Sequence, residues 1–304
     1  MISFRYHLVS VIGIFLAIAL GLVIGTSALN GAVVADLRRQ VTDLKKANND
    51  GANAVRSLQV QAGQADLLAR NFAGKIAGGA LANVPVVILG APGSPRGLED
   101  AASAQVVAAG GKVVGRVQLT KAFSDPSRAS DIRSLATSGA HPIGLQLPKS
   151  DDAGTLAGAL LGYVLLNHGQ PTDLTQVLAA LSTLNMAKPE GADIRAGRVV
   201  LVLSPGGIAK DDPAGAMLLS MTRSIGASGP TVVIGDAASA SRTGLIALVR
   251  ADAVARRFVS TVDDGDRALG QLTLSLTAAE ALAGRKGNFG TSAGADALMP
   301  GIAS

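Results

Sequence analysis

The chain has 304 residues, of which 48% are hydrophobic and 16% charged, with a formal net charge of +5. This composition excludes a largely disordered chain, and the length suffices for one large domain or two smaller ones. The absence of cysteine excludes disulfides, thiolate metal sites and cysteine nucleophiles. Aromatic residues make up only 3%, and the lysines and arginines are interspersed with aspartates, so we expect no nucleic-acid partner.

The chain begins with a long uncharged segment. No residue between Arg5 and Asp36 carries a full charge, and residues 8–24 are LVSVIGIFLAIALGLVI. Because about 20 apolar helical residues cross the hydrocarbon core of a bilayer, residues 1–30 are predicted to be a transmembrane anchor. A cleaved signal peptide is the alternative, since Thr26–Ala28 resembles a small-residue cleavage site. The apolar run exceeds the roughly 7–15 residues usual in a signal peptide, which favours a retained anchor.

Small residues recur at every fourth position of this segment, at Gly13, Ala17, Gly21 and Gly25. On a helix they form one stripe, which lets the backbones of two membrane helices approach closely. Glycine is also common in membrane helices without pairing, so the stripe alone leaves both interpretations open. We name these four residues the small-residue stripe and predict that it mediates packing between membrane helices.

An apolar heptad pattern follows the anchor without a skip from Val34 to Phe72. It predicts a coiled-coil helix over residues 31–76, and an asparagine at an a position favours a dimer with fixed register. The alternative is an amphipathic helix packed on its own domain. A second copy of the chain, in a homodimer or larger oligomer, and another coiled-coil envelope protein fit the pattern equally well as partners. We name as the seam Leu37, Val41, Leu44, Asn48, Val55 and Leu58.

Residues 80–304 alternate short apolar runs with helical stretches. Glycine-containing loops follow most of the runs, as expected of buried parallel strands with helices on both faces of the sheet. The predicted fold class is therefore α/β, with a Rossmann-like, mostly parallel sheet, built either as two lobes or as one domain with an insertion. Strands are predicted at 84–89, 112–119, 198–203 and 231–234, and helices up to about 109 and at 153–167, 172–186, 213–225 and 243–255.

The sequence shows no constellation typical of catalysis or of cofactor binding. Gly90 and Gly93 do not complete a GxGxxG motif, and neither a phosphate-binding GxxxxGK[ST] nor a GxSxG nucleophile motif occurs. His141 precedes a proline and His168 ends a helical stretch, and both are interpreted as ordinary loop or helix-end residues. We therefore expect no enzyme activity and no resident cofactor.

Two groups of residues have side chains that could bind a metal ion. Met217 and Met221 are four residues apart and carry the thioether that copper prefers, but a methionine pair on a buried helix usually packs in the core. Asp263, Asp264 and Asp266 are the densest group of carboxylates and suit a hard cation. We interpret them instead as an acidic turn that caps the following helix.

Several blocks of the sequence resemble one family. The chain is similar to the MctB family of actinobacterial envelope proteins in five blocks. They are MISFRYHLVSVIGIFLAIALGLVIG at the start, the heptads, STVDDGD at Ser260–Asp266, and then GQLTLSLTAAEALAG and GNFG. The resemblance implies a domain outside the cytoplasmic membrane, a role in copper transport and homeostasis, and a proposed outer-membrane channel; copper is implied by this resemblance alone. The family motif comprises Ser260, Thr261, Val262, Asp263 and Asp264.

The residues and the resemblance disagree on orientation and mechanism. Positive charges flanking a membrane helix favour the cytoplasmic side. Four of them follow the apolar segment, at Arg38, Arg39, Lys45 and Lys46, and only Arg5 and the amino terminus precede it, so the charge count alone places the large domain in the cytoplasm. We follow the resemblance, which implies an extracytoplasmic domain and a single-pass protein of the cell membrane. Continuous apolar strands do not match a β-barrel, which needs alternating residues. Two hypotheses therefore stand: copper efflux, or a non-transporting coiled-coil scaffold or regulator of envelope and cell-separation machinery.

Overall fold

The computed structural model describes residues 4–137, 141–166, 168–191 and 193–301. The chain divides into two compact units, Met1–Gln64 and Ala65–Ser304. One continuous helix, α1, spans Phe4–Ile76, so the described residues of the predicted anchor, from Phe4 on, and those of the predicted stalk are helical without a break. Ala77 still donates its amide to the Ala73 carbonyl at 2.8 Å, and the helix ends before Gly79, whose φ of +83° suits glycine.

The second unit contains one seven-stranded sheet in the order β3-β2-β1-β4-β5-β6-β7. Six strands are parallel, and only β3 is antiparallel to its neighbour β2. The strand order reverses between β1 and β4, as in doubly wound α/β folds. The strands are β1 Pro85–Gly90, β2 Lys112–Leu119, β3 Ala187–Glu190, β4 Val199–Leu203, β5 Thr231–Ile234, β6 Val259–Val262 and β7 Asn288–Phe289.

Helices cover both faces of this sheet. Alternate residues of β1 point to opposite faces, so Val87 and Leu89 pack in the core beneath α3 to α7, and Val86 and Ile88 pack beneath α2 and α9. A mostly parallel α/β sheet is thereby confirmed. The helices are α2 Arg96–Ala108, α3 Ala129–Thr137, α4 Ala153–Leu165, α5 Pro171–Thr183, α6 Ala214–Ser228, α7 Leu245–Ala251, α8 Ala255–Phe258 and α9 Ala268–Leu282.

Helices α4 and α6 pack unusually closely. Three glycines of α4, spaced four residues apart, face α6, and each leaves no room for a side chain. A Cβ on Gly154 would lie 2.5 Å from the Met217 carbonyl oxygen, and one on Gly158 would meet the backbone of Met221. A Cβ on Gly162 would lie 2.8 Å from Ser228 Cβ and 3.2 Å from Ile225 Cα. The chain thus contains a second stripe of small residues, which we name the α4 stripe, and its partner helix belongs to the same domain.

The methionine pair is part of this packing. Met221 is fully buried in the core, and Met217 packs against the same cluster, so the interpretation of both as core residues is confirmed. The helix predicted at 243–255 is wrong in its continuity, because α7 ends at Ala251. The Asp252 carboxylate accepts hydrogen bonds from the amides of Val254 and Ala255, and these bonds start the separate helix α8.

Both edges of the sheet are short. The outer strand β3 has four residues, and it contains Pro189, which has no amide hydrogen to donate. The opposite edge, β7, has two residues, and the chain returns beside it: the amides of Asp296 and Gly290 donate to the carbonyls of Asn288 and Ala297.

Candidate functional site

Within the described residues, one helical segment is long and apolar enough to cross a membrane. It is Tyr6–Gly25 of α1, and its side chains are unburied in the molecule. A helix of 20 such residues has the length needed to cross the hydrocarbon core. This segment fits a single-pass anchor near the amino terminus.

The small-residue stripe lies within this span. A Cβ placed on Gly13, Gly21 or Gly25 would meet nothing within 4 Å, so this face of α1 is open. Ala17 lies between them on the same face. The stripe is therefore available to a second helix, and its pairing remains a prediction.

The seam is also uncovered. Its five apolar residues, Leu37, Val41, Leu44, Val55 and Leu58, are 49–69% exposed. The polar member, Asn48, is exposed as well. Large aliphatic side chains at this exposure are typical of a surface that a partner covers. The coiled coil itself remains a prediction.

The last turns of α1 belong to the second unit and contact it on one face only, while Leu67, Leu68 and Phe72 are 45–60% exposed. Ala69, an a position of the heptad, is only 6% exposed. Asp66 accepts a 2.8 Å hydrogen bond from Nη2 of Arg267, and this bond raises the pKa of that guanidinium. One face of these turns thus contacts the second unit through Asp66 and Ala69. Both the coiled coil and the alternative of a helix packed on its own domain stay predictions.

The family motif forms β6 and the turn after it, and it is almost completely buried. The guanidinium of Arg250, which sequence reasoning missed, lies beside the motif, and its Nη1 is 2.8 Å from Asp263 Oδ2. The Arg250 side chain is 5% exposed and the Asp263 side chain 0%. Arg250 also donates from Nε to Thr261 Oγ1 at 2.9 Å, and from Nη2 and Nη1 to the carbonyls of Phe289 and Ala293. A buried ion pair of this kind is favourable only when such further hydrogen bonds satisfy both partners.

Asp263 completes the network by accepting the amides of Thr291 at 2.9 Å and Ser292 at 3.3 Å. Asp264 accepts the Thr291 hydroxyl at 2.9 Å; burial raises the pKa of Asp264, and the neighbouring charge of Asp263 raises it further. Gly290, with φ +129°, passes so close to Asp263 that any side chain would collide with it. The motif thus fastens the segment that follows β7, and we name this network the C-terminal clamp.

The interpretation of this acidic turn as a helix cap is therefore wrong. Helix α9 begins at Ala268, and its N-cap residue, Arg267, makes no side-chain capping bond. Asp263 and Asp264 bond to the segment after β7 instead, and Asp266 is exposed. In the described part of the chain, no group of three or more His, Asp or Glu side chains is placed to hold a metal ion.

A cleft of about 580 Å³ opens where the strand order reverses. The loops after β1 and β4 form its walls with Gly93, Pro205 and Gly206, and Lys121 and Asp125 come from the loop after β2. Two hydrogen bonds from Ser127 lower the pKa of Asp125. Crevices at such a reversal are the usual ligand sites of open α/β sheets. Sequence reasoning missed this cleft because strand order is not written in the sequence.

These features define a class of protein: an α/β domain preceded by one helix that fits a single-pass membrane anchor. The C-terminal clamp gives a structural role to two of the sequence blocks that resemble a known family, STVDDGD and GNFG.

The chain belongs to the MctB family, since the model of that family, described as "Copper transport outer membrane protein, MctB", matches residues 1–300. A protein of Mycobacterium tuberculosis named "Copper transporter MctB" is 32% identical over 309 residues, which cover 97% of this chain and 98% of the relative. A protein of the same name from Mycobacterium bovis is equally similar. The one from Mycobacterium leprae is 31% identical over 315 residues, 98% of this chain and 99% of the relative. The resemblance stated from the sequence is confirmed.

Proposed function

We propose that this protein acts in copper transport or efflux, and so in copper homeostasis, from a cell membrane in which α1 anchors it. Relatives that match nearly the whole chain and carry the name copper transporter support the copper role. The observation that carries the membrane part is the apolar, unburied span Tyr6–Gly25. We propose the extracytoplasmic side for the α/β domain, as the family resemblance implies. Copper is the cargo in this proposal.

The path of the metal in this proposal runs through an assembly. One helix encloses no channel by itself, so several copies, or a partner protein, would have to surround a copper path. Both open faces of α1, the small-residue stripe and the seam, are suited to making such an assembly. In this proposal the chain is one subunit of the assembly, and α1 associates with the helices of the other subunits or of the partner protein.

A second candidate function rests on the seam alone. A non-transporting scaffold or regulator of envelope and cell-separation machinery would use the exposed residues Leu37 to Leu58 as a coiled-coil contact with a partner. This function needs the same helix and membrane span but moves no copper.

Cellular copper content distinguishes the two. We expect copper to accumulate in a deletion strain under copper challenge and to return to normal when the gene is restored. Unchanged copper in the deletion strain would contradict the copper role and leave the scaffold. A reporter fused after Ser304 tests the orientation, and a cytoplasmic signal would contradict the extracytoplasmic domain.

The contribution of α1 is tested by complementation with matched variants. Leu58→Glu places a charge in the seam, whereas Val60→Glu places the same charge on the opposite face of the helix, where Val60 is similarly exposed. We expect Leu58→Glu to lose complementation and Val60→Glu to retain it. Equal activity of the two variants would show that the seam has no part in the function.

A further inference from the structure

Cationic side chains gather at the amino edge of the sheet, where the six parallel strands begin. Lys112 is the first residue of β2, and its amide donates to the Val84 carbonyl at 2.8 Å. Arg198 immediately precedes β4, and its amide donates to the Pro85 carbonyl at 2.8 Å. The two residues therefore flank the start of β1, and both are exposed.

More cations precede the outer parallel strands. Arg256 and Arg257 lie in α8, directly before β6, and Lys286 lies two residues before β7. Because the amino ends of parallel strands meet at one edge, these residues share that edge with the first two. Both arginines are exposed, and Lys286 is half-buried. We name as the basic edge Lys112, Arg198, Arg256, Arg257 and Lys286.

The charge of the basic edge is not neutralised locally. In the described part of the chain, no carboxylate forms an ion pair with any of its five cations. The carboxylates nearest in sequence to Arg198, to the two arginines of α8 and to Lys286 are already paired with other arginines. These pairs are Asp193 with Arg195, Asp252 with Arg223, and Glu280 with Arg285. Lys286 donates to the Ala281 carbonyl at 3.4 Å, and burial lowers the pKa of its ammonium group. The charge that the basic edge offers to a partner is therefore carried mainly by its four exposed cations.

Exposed aliphatic side chains accompany these charges. Val107, in the last turn of α2, is 63% exposed, and Val254, directly before α8, is 48% exposed. Both belong to segments that lead to strand starts at the same edge. Cations beside exposed aliphatic groups are typical of surfaces that touch anionic lipid headgroups.

The width of the basic edge indicates the kind of partner. From β2 to β7 the sheet order has five strand intervals of about 4.8 Å, or about 24 Å in all. Charges spread over that width suit a surface with many anions better than one small ligand. The neighbouring valines favour a lipid surface over a fully hydrated polyanion.

We propose that the basic edge docks on an anionic phospholipid surface. The contact is independent of the copper role and of any pairing of α1. Each cation near an anionic leaflet contributes about 1 kcal/mol, which corresponds to about a fivefold change in affinity. The attraction weakens as salt rises, because exposed charges are screened.

The test uses the full chain, held through α1 in nanodiscs of zwitterionic phosphatidylcholine. Co-flotation with vesicles is measured, with either phosphatidylglycerol or phosphatidylcholine in the vesicles. We expect binding to the anionic vesicles only. Arg256→Glu/Arg257→Glu should weaken it at least about 25-fold. The control Lys121→Glu/Lys210→Glu removes two exposed lysines from the loops after β2 and β4, at the opposite edge of the sheet, and should bind as the parent does.

Three results would overturn the proposal. They are equal binding to phosphatidylcholine vesicles, unchanged binding of the Arg256→Glu/Arg257→Glu variant, and capture of polyglutamate without capture of anionic vesicles, which would indicate an acidic protein partner. An unchanged melting temperature of each variant shows that lost binding reflects charge rather than unfolding.

Discussion

The two stripes of small residues in this chain have the same spacing and opposite surroundings. In the α4 stripe, Gly154 and Gly158 pack directly against the backbone of α6, and Gly162 packs against Ser228 of the same helix. In the small-residue stripe of α1, the space beside Gly13 and Gly21 is open. The comparison teaches that this spacing permits close approach of a second helix, and that the rest of the fold decides whether such a helix is present. The domain supplies the partner of the α4 stripe, whereas the helix that we propose as partner of the small-residue stripe would come from outside α1.

Helix α4 and the apolar span of α1 also differ in length. Ala153–Leu165 has 13 residues, about 20 Å at 1.5 Å per residue, and is too short to cross a bilayer. Its start is fixed by Asp152, whose carboxylate accepts the Thr155 amide at 2.7 Å. The span in α1 has no such stop, and the helix continues beyond it to Ile76.

The largest effect is expected from filling the α4 stripe. In Gly158→Leu the side chain would meet the backbone of Met221, which cannot move aside as a flexible side chain can. We expect a loss of more than about 4 kcal/mol in the free energy of unfolding, or failure to fold. Thermal unfolding in detergent measures it. Gly97→Leu, in α2, is the control, since a Cβ there meets nothing within 4 Å; equal destabilisation by both would contradict the packing argument.

The next largest effect is expected from breaking the C-terminal clamp, which is also a contact within the second unit. Arg250→Met leaves the buried carboxylate of Asp263 without its counter-ion, which costs about 3–5 kcal/mol. We expect a lower melting temperature and faster proteolysis after β7. Adding Asp263→Asn to this variant should recover part of the loss, because the unpaired charge is then removed. No recovery in the double variant would show that the charge pair is not the cause.

A smaller effect is expected on the open stripe. Gly21→Leu should leave the melting temperature unchanged, because the space around Gly21 is empty. It should weaken self-association of α1 in a membrane by about 1–2 kcal/mol, measured by energy transfer between labelled copies in vesicles. Ala19→Leu adds the same side chain on the opposite face and should leave the transfer unchanged. Unaltered association of Gly21→Leu would rule out this stripe as the contact.

The smallest effect concerns pH. Burial and the charge of Asp263 raise the pKa of Asp264 in the folded protein above its value in the unfolded chain. The protonated Asp264 side chain therefore contributes fully to stability below the pKa of the unfolded chain, and this contribution is lost as the pH rises through the pKa of the folded protein. Asp264→Asn should therefore raise the melting temperature at pH 7 and leave it nearly unchanged below the ordinary aspartate pKa. A lower melting temperature at pH 7 would mean that the ionised carboxylate stabilises the clamp.

The parts of the fold that could be predicted from the sequence are its continuous apolar runs. Strands β2 and β5 begin and end at the predicted residues, since Lys112–Leu119 and Thr231–Ile234 are bounded by glycine, proline or turn residues. The edge strand Ala187–Glu190 was missed because it contains lysine, proline and glutamate. Strand Val259–Val262 was recognised only as a family motif, because serine and threonine interrupt its apolar pattern.

The sites were less predictable than the strands. The stripe and the seam of α1 are periodic, so their residues could be named before their surroundings were known. The clamp joins Arg250 to Asp263, 13 residues later, and to the Ala293 carbonyl, and no periodicity links these positions. Arg250 carries no signal in the sequence, because an arginine in a predicted helix is usually solvated. The cleft depends on strand order, which only the fold supplies.

The blunt edges of the sheet have a consequence for crowding. A protein held in a bilayer is concentrated in two dimensions, and an exposed strand would then invite neighbours to join sheet to sheet and aggregate. At one edge Pro189 has no amide hydrogen to donate, and at the other the returning chain already bonds to β7. Little unpaired backbone is therefore left for a strand of a neighbouring molecule to bind. Many copies could therefore gather densely in one membrane and remain separate folded domains.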